Sequence, residues 1–240
     1  MSRGVHSHCA RRRLLLPALV GLLLLGACGN NQEPGPFAVL ADLARAEFGG
    51  SGAEALPPPI AQDGHLAVSA QLAASADQPV VGVVIEDRNA QALLTPSGAS
   101  GPHMTWLSAD RASFTLVAGS VLVRTSGLGN DLQNADVTQL LAAMAAGQPA
   151  ELQRKHIVLT RDFQREALDF TCTLTPAGRA GISLAGQRRD TMRFNELCEG
   201  EGHSFTNSYW FDQGAGMIVQ SVQWVHPQTG RVHLQLIGHP

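Results

Sequence analysis

Four cysteines carry the reactive chemistry of this 240-residue sequence, and their surroundings assign them different fates. Cys28 closes Leu25-Gly26-Ala27-Cys28, the pattern of the bacterial lipobox, in which the thiol is alkylated with diacylglycerol and cleavage then makes the cysteine the first residue of the mature chain. Small residues at 26 and 27 suit a peptidase that must approach the backbone closely. The alternative is a plain signal peptide with a stray cysteine, as Cys9 already is in the same leader. Cys172 and Cys198 then remain as one pair in an exported chain, where a disulfide is the default. Strand alternation puts Phe170, Cys172 and Leu174 on one face, and gives Met192, Phe194 and Cys198 a shared parity, so both thiols point toward a core. A metal site using the same sulfurs with His203 lacks a second close histidine. No metal and no cofactor are expected.

The carboxylates placed to do acid–base work are Glu86-Asp87, Glu199, Glu201 and Asp212. A polysaccharide-modifying enzyme needs two of them across a cleft, whereas acids beside hairpin turns are ordinarily solvated. No serine sits in a nucleophile elbow, and no glycine-rich loop has phosphate or dinucleotide spacing. "GLGND" at 127–131 reads as a strand-ending turn needing positive φ. The histidines beyond the leader, His65, His103, His156, His203, His226, His233 and His239, lack metal-ligand spacing, and surface positions are expected for most. In "SYWFD" alternation sends Phe205, Tyr209 and Phe211 to one face, and Trp210 to the other with Thr206, Ser208 and Asp212. Trp210 at a polar surface would stack on sugar or mark an interface, with Trp224 nearby; the competing reading packs both rings under a helix or across strands.

Net charge bounds the partners. Without residues 1–27 the chain holds 13 basic against 20 acidic side chains, which argues against bulk nucleic-acid binding. Only residues 150–193 are net positive. There Arg154, Lys155, Arg161, Arg165, Arg188, Arg189 and Arg193 offer an anionic polymer a surface, or else are solvated strand faces and hairpin ends.

These residues need elements to hold them. Arg11, Arg12 and Arg13 precede a charge-free apolar stretch at 14–25, too short for the roughly 20 residues of a membrane span, so residues 1–27 form a lipoprotein signal. Two or three acyl chains on Cys28 suffice for stable anchoring, and Gly29, where aspartate would retain the protein in the inner membrane, favours the outer one. "GNNQEPGP" makes residues 28–36 a lipid-anchored tether. Residues 37–79 form a helical and irregular segment in which Phe37, Leu40, Leu43 and Phe48 follow a roughly helical period that ends at Gly49-Gly50.

Residues 80–240 read as an antiparallel β domain. "VVGVVIEDRNAQALL" and "ASFTLVAGSVLVRT" are hairpins, "VTQLLAAMAAG" is a helix ending at Gly147, and further strands follow at "KHIVLTR", "DFTCTLT", "AGISLAG" and "TMRFNEL". "SFTNSYWFD", "GMIVQSVQWV" and "RVHLQLI" close the chain as a meander. The fold class is therefore mainly β: about ten strands in a barrel-like or strongly curved sheet with a few peripheral helices.

The ordered segments "GLGNDLQNADV", "FTCTLTPAG", "CEGEGHSFTNSYWFD" and "IVQSVQWV", with the final "LQL" and the lipobox, resemble the YjbF/GfcB family of capsule and exopolysaccharide lipoproteins. The resemblance runs from about Val80 to the C-terminus. It implies an all-β domain tethered to the outer membrane and facing the periplasm, with the polysaccharide export machinery, an outer-membrane β-barrel included, as partners and the polymer itself as a further contact. The family has no established catalytic residues, so a non-enzymatic accessory role is expected, with Cys28 as the carried-over site.

Overall fold

The computed structural model describes residues 78–184 and 187–237. The expected signal, Cys28, the tether and nearly all of the segment 37–79 lie outside the described residues. Twelve antiparallel strands follow one another: β1 (Val80–Ile85), β2 (Ala90–Ser100), β3 (His103–Leu107), β4 (Ser113–Val117), β5 (Val121–Ser126), β6 (Asp131–Ala135), β7 (Ala150–Leu159), β8 (Arg165–Leu184), β9 (Gln187–Gly200), β10 (His203–Asp212), β11 (Met217–His226) and β12 (Gly230–Ile237). Helix α1 (Thr138–Ala146) links β6 to β7 and ends, as expected, at a left-handed Gly147.

The barrel-like β architecture is the one the strand spacing predicts, with twelve strands in place of about ten. "HMTWL" is short and "DLQNA" largely polar, so neither β3 nor β6 shows a strand's alternation. "DFTCTLT" and "AGISLAG" prove to be one strand, β8, because the chain between Pro176 and Gly178 makes a bulge instead of a turn.

Sheet order runs β5-β4-β3-β2-β1-β12-β11-β10-β9-β8-β7-β6. Pairing of β1 with β12 joins the two halves of the chain, and the ends of the order, β5 and β6, meet at 127–130. Side chains replace the ladder there. The Asp131 carboxylate accepts from the Gly127 and Leu128 N–H groups at 3.1 and 3.0 Å and from the Thr125 hydroxyl at 3.1 Å, while Arg124 Nε donates to the Gln133 carbonyl at 3.0 Å. Gly127 and Gly129 supply the positive φ that the turn needs. The barrel is thus nearly closed, with a polar seam.

Two features shape it further. The β4–β5 corner crosses the interior to β11: Ser120 N–H donates to Ile218 O at 2.9 Å and Ile218 N–H to Ala118 O at 2.8 Å. Ser221 Oγ and Gln223 Nε2 both donate to Ser120 O. Beyond its bulge, β8 presents the opposite face, and Ile182 and Leu184 pack on Trp210, Val219 and Val222. The hairpin end therefore covers the outer face of β10 and β11, which is why almost all of β11 is buried.

Candidate functional site

The interior of a small barrel is ordinarily apolar, yet β7, β9 and β10 direct Arg154, His156, Glu196, Asn207 and Tyr209 into it, each at most 3 % exposed. Parity places them. Arg154 and His156 alternate with the outward Lys155 between the buried Leu152 and Val158; Glu196 lies between Phe194 and Cys198, and Asn207 and Tyr209 follow Phe205.

One carboxylate organises the group. Glu196 Oε2 accepts from Arg154 Nη1 at 2.9 Å, Asn207 Nδ2 at 2.8 Å and Tyr209 OH at 2.8 Å, and Oε1 accepts from Arg154 Nη1 at 3.1 Å. Asn207 Oδ1 accepts the Trp224 N–H at 2.8 Å. Arg154 Nε donates to His156 Nε2 at 2.9 Å, which leaves Nδ1 as the protonated nitrogen facing Val225 O at 3.3 Å. Burial, and then the Arg154 charge beside it, lowers the His156 pKa to about 3. Burial alone would pull the Arg154 pKa down, but Glu196 and Tyr209 more than offset it and raise it. Burial likewise pushes the Tyr209 hydroxyl up, so it stays protonated and donates. The result is a buried ion pair with its hydrogen bonds made, which ties β7, β9, β10 and β11 together.

Beside it, Cys172 and Cys198 face each other across β8 and β9 and are joined in a disulfide, both fully buried. The two sulfurs and a Glu196 oxygen lie within 4.8 Å of one another. Bonded to each other, the sulfurs have no thiolate to offer a metal.

The other residues singled out by sequence scatter. Trp210 is 9 % exposed beneath Ile182 and Leu184, with the Arg193 guanidinium 5.0 Å from its ring centre, so of the two readings it is packing across strands that describes it. Trp224 stacks on Phe205 at 4.4 Å and also meets His156, His203 and Phe170. Arg188 stands exposed near the hairpin end, 3.6 Å from Asp190, and Arg189 lies 3.8 Å from Asp212. Arg154, counted among the basic surface residues, belongs inside. His156, His226 and His233 are buried, against the expectation of surface histidines.

The candidate acids do not converge. Glu86 meets His233 at 2.7 Å and Arg231 at 3.7 Å. Asp212 accepts from the Gly214 and Ala215 N–H groups, and Glu199 and Glu201 are exposed by the β9–β10 turn. Sequence reading passed over Glu196, although its parity with Phe194 and Cys198 is the signal that locates it. An acid on a core face must bring a cation with it, and Arg154 on the core face of β7 is that cation.

A second feature is an apolar groove of about 410 Å³ at the barrel mouth where the described chain begins. Pro96, Met104, Trp106, Leu116, Met217 and Leu236 line it, and among the described residues no lining side chain is charged.

Comparison with known proteins adds the following. The family model of the group 4 capsule polysaccharide lipoprotein GfcB, YjbF, matches residues 54–237, starting well ahead of Val80, from where the sequence resemblance was read. Among solved structures, the chain is similar to the crystal structure of the hypothetical lipoprotein YmcC from Escherichia coli K12, at a TM-score of 0.64 and 17 % identity, covering 72 % of this chain and 90 % of that one. That likeness is one of fold. No curated protein matches.

Proposed function

The chain belongs to the YjbF family of group 4 capsule polysaccharide lipoproteins, and on that membership we propose that it is a non-enzymatic accessory factor for secretion or assembly of a capsule or exopolysaccharide. Acylated Cys28 holds it on the periplasmic face of the outer membrane. From there it contacts the export machinery, an outer-membrane β-barrel included, or the polymer. The family match over 54–237 carries this reading. The interior accords with it: among the described residues the buried Glu196 carboxylate is taken up by its ion pair with Arg154, Asp212 accepts from its own turn and Glu86 meets His233.

The test is a deletion strain complemented with the parent chain or with Cys28→Ser. Loss of extracellular polymer on deletion, restored by the parent and not by Cys28→Ser, is expected. Unchanged export after deletion would remove the proposal. Failure of the deletion to be mimicked by Cys28→Ser would remove only the anchor.

A further inference from the structure

We propose that the β7–β8 turn is a membrane contact, in which Phe163 enters the interface of an anionic phospholipid bilayer and Arg161 and Arg165 meet its headgroups. Phe163 is 80 % exposed. Single apolar residues on a surface are ordinary, but this one is also held at φ 61°, in the left-handed region that a bulky side chain adopts only at a cost. The ring strains the backbone and buries almost nothing, so packing does not explain it.

The same turn recurs in the chain without an aromatic residue. Thr160 N–H donates to Gln164 O at 3.0 Å, Phe163 N–H to Thr160 O at 2.9 Å, and the Thr160 hydroxyl to the Asp162 carboxylate. Between β3 and β4, Ser108 N–H donates to Ala112 O at 3.0 Å, Arg111 N–H to Ser108 O at 2.9 Å, and the Ser108 hydroxyl to the Asp110 carboxylate. There Arg111, at φ 69°, takes the place of Phe163. Hydrogen bonds therefore fix the turn, and the phenyl ring projects from a support that does not need it.

Charge identifies the occupant. Arg161 and Arg165 flank the ring in sequence, both exposed, and among the described residues neither guanidinium has an ion pair or a hydrogen bond. The neighbouring acids are engaged, Asp162 by Thr160 and Glu166 by His226 at 3.8 Å. An aromatic tip between unpaired cations matches an interface with anionic headgroups over an apolar interior, whereas a small ligand asks for a concave site. The family is one of lipoproteins, and the inference rests on that membership only for the nearness of a bilayer. One ring binds weakly, so the contact orients a chain already held at the surface. The β10–β11 turn, at the opposite end of the barrel, then points away from the lipid.

The test uses the exported full chain with a C-terminal histidine tag, held on vesicles by a nickel-chelating lipid whether or not Cys28 is acylated. On vesicles of phosphatidylcholine with phosphatidylglycerol, a polarity-sensitive fluorophore on Gln164→Cys is expected to shift to the blue. Brominated lipid should quench it several-fold more than the same fluorophore on Gln213→Cys, in the β10–β11 turn. The chain without an added cysteine supplies the background. Phe163→Asn keeps a residue that tolerates the left-handed backbone, and should abolish the difference while leaving the urea midpoint at or above the parent's. Arg161→Gln with Arg165→Gln, or vesicles of phosphatidylcholine alone, should reduce it several-fold. Equal quenching at 164 and 213, or quenching at 164 that survives Phe163→Asn, overturns the proposal and leaves the turn to a protein partner or the polymer. Undiminished quenching on phosphatidylcholine alone overturns the part given to the arginines. A urea midpoint lowered by Phe163→Asn also counts against the proposal, because the ring would then be holding the fold.

Discussion

Glu196 gathers four hydrogen bonds from three residues inside a barrel, and its energetics follow from what is left when one partner goes. Arg154→Met strands a buried carboxylate and should cost about 3–5 kcal/mol, seen as a lower urea midpoint. Arg154→Met with Glu196→Leu removes both charges and should recover much of that loss. Equal destabilisation by the single and the double variant would mean that the pair is not the source of the cost. His156 sets a pH dependence. Its folded pKa of about 3 lies below the ordinary 6.5, so between these values the unfolded chain binds a proton that the folded one refuses. The contribution is complete above about pH 6.5 and fades as pH falls toward 3, by about 1.4 kcal/mol per pH unit. Urea unfolding from pH 7 to 4 should show a slope shallower by that amount in His156→Gln.

At the scale of elements, the β4–β5 corner depends on one glycine. Gly119 has φ +94°, and a Cβ there would stand 2.2 Å from Ile218 O. Gly119→Ala must push the corner off β11, and a cost of about 2 kcal/mol or more in urea unfolding is expected. Gly98→Ala, in a bulge with nothing within 4 Å of the new methyl, should stay within about 0.5 kcal/mol of the parent. The β8–β9 hairpin is held by its covalent bond. Cys172 and Cys198 are 26 residues apart, and replacing both with alanine should cost about 3–4 kcal/mol on the chain-entropy model. Reduced parent and double variant should then unfold at similar urea concentrations.

For the molecule as a whole, the seam between β5 and β6 is where the ladder stops. Backbone groups along it rely on Thr125, Asp131 and Arg124 instead of strand pairing. Hydrogen exchange should be fastest along β5 and β6 and slowest in β8, β9 and β10, where the disulfide and the ion pair converge. Uniform protection around the barrel would contradict this.

Local chemistry was legible in the residues. Alternation located both cysteines, put Phe205, Tyr209 and Phe211 on the core face and Trp210 on the other, and glycines marked the ends of α1 and the 127–131 turn, because side-chain direction and positive φ are properties of a few consecutive residues. The family, too, could be read from ordered motifs. Partners distant in sequence could not. Whether the outer face of β10 met water or the β8–β9 hairpin depended on a bulge after Pro176 that reverses a strand's faces, and this decided between the two readings of Trp210 in favour of a covered ring. Likewise Glu196 and Arg154, 42 residues apart, read separately as an overlooked acid and a surface base. Only the pairing of β7 and β9 on either side of β8 brought them together, since burial is decided by what packs against a face and not by the residues on it.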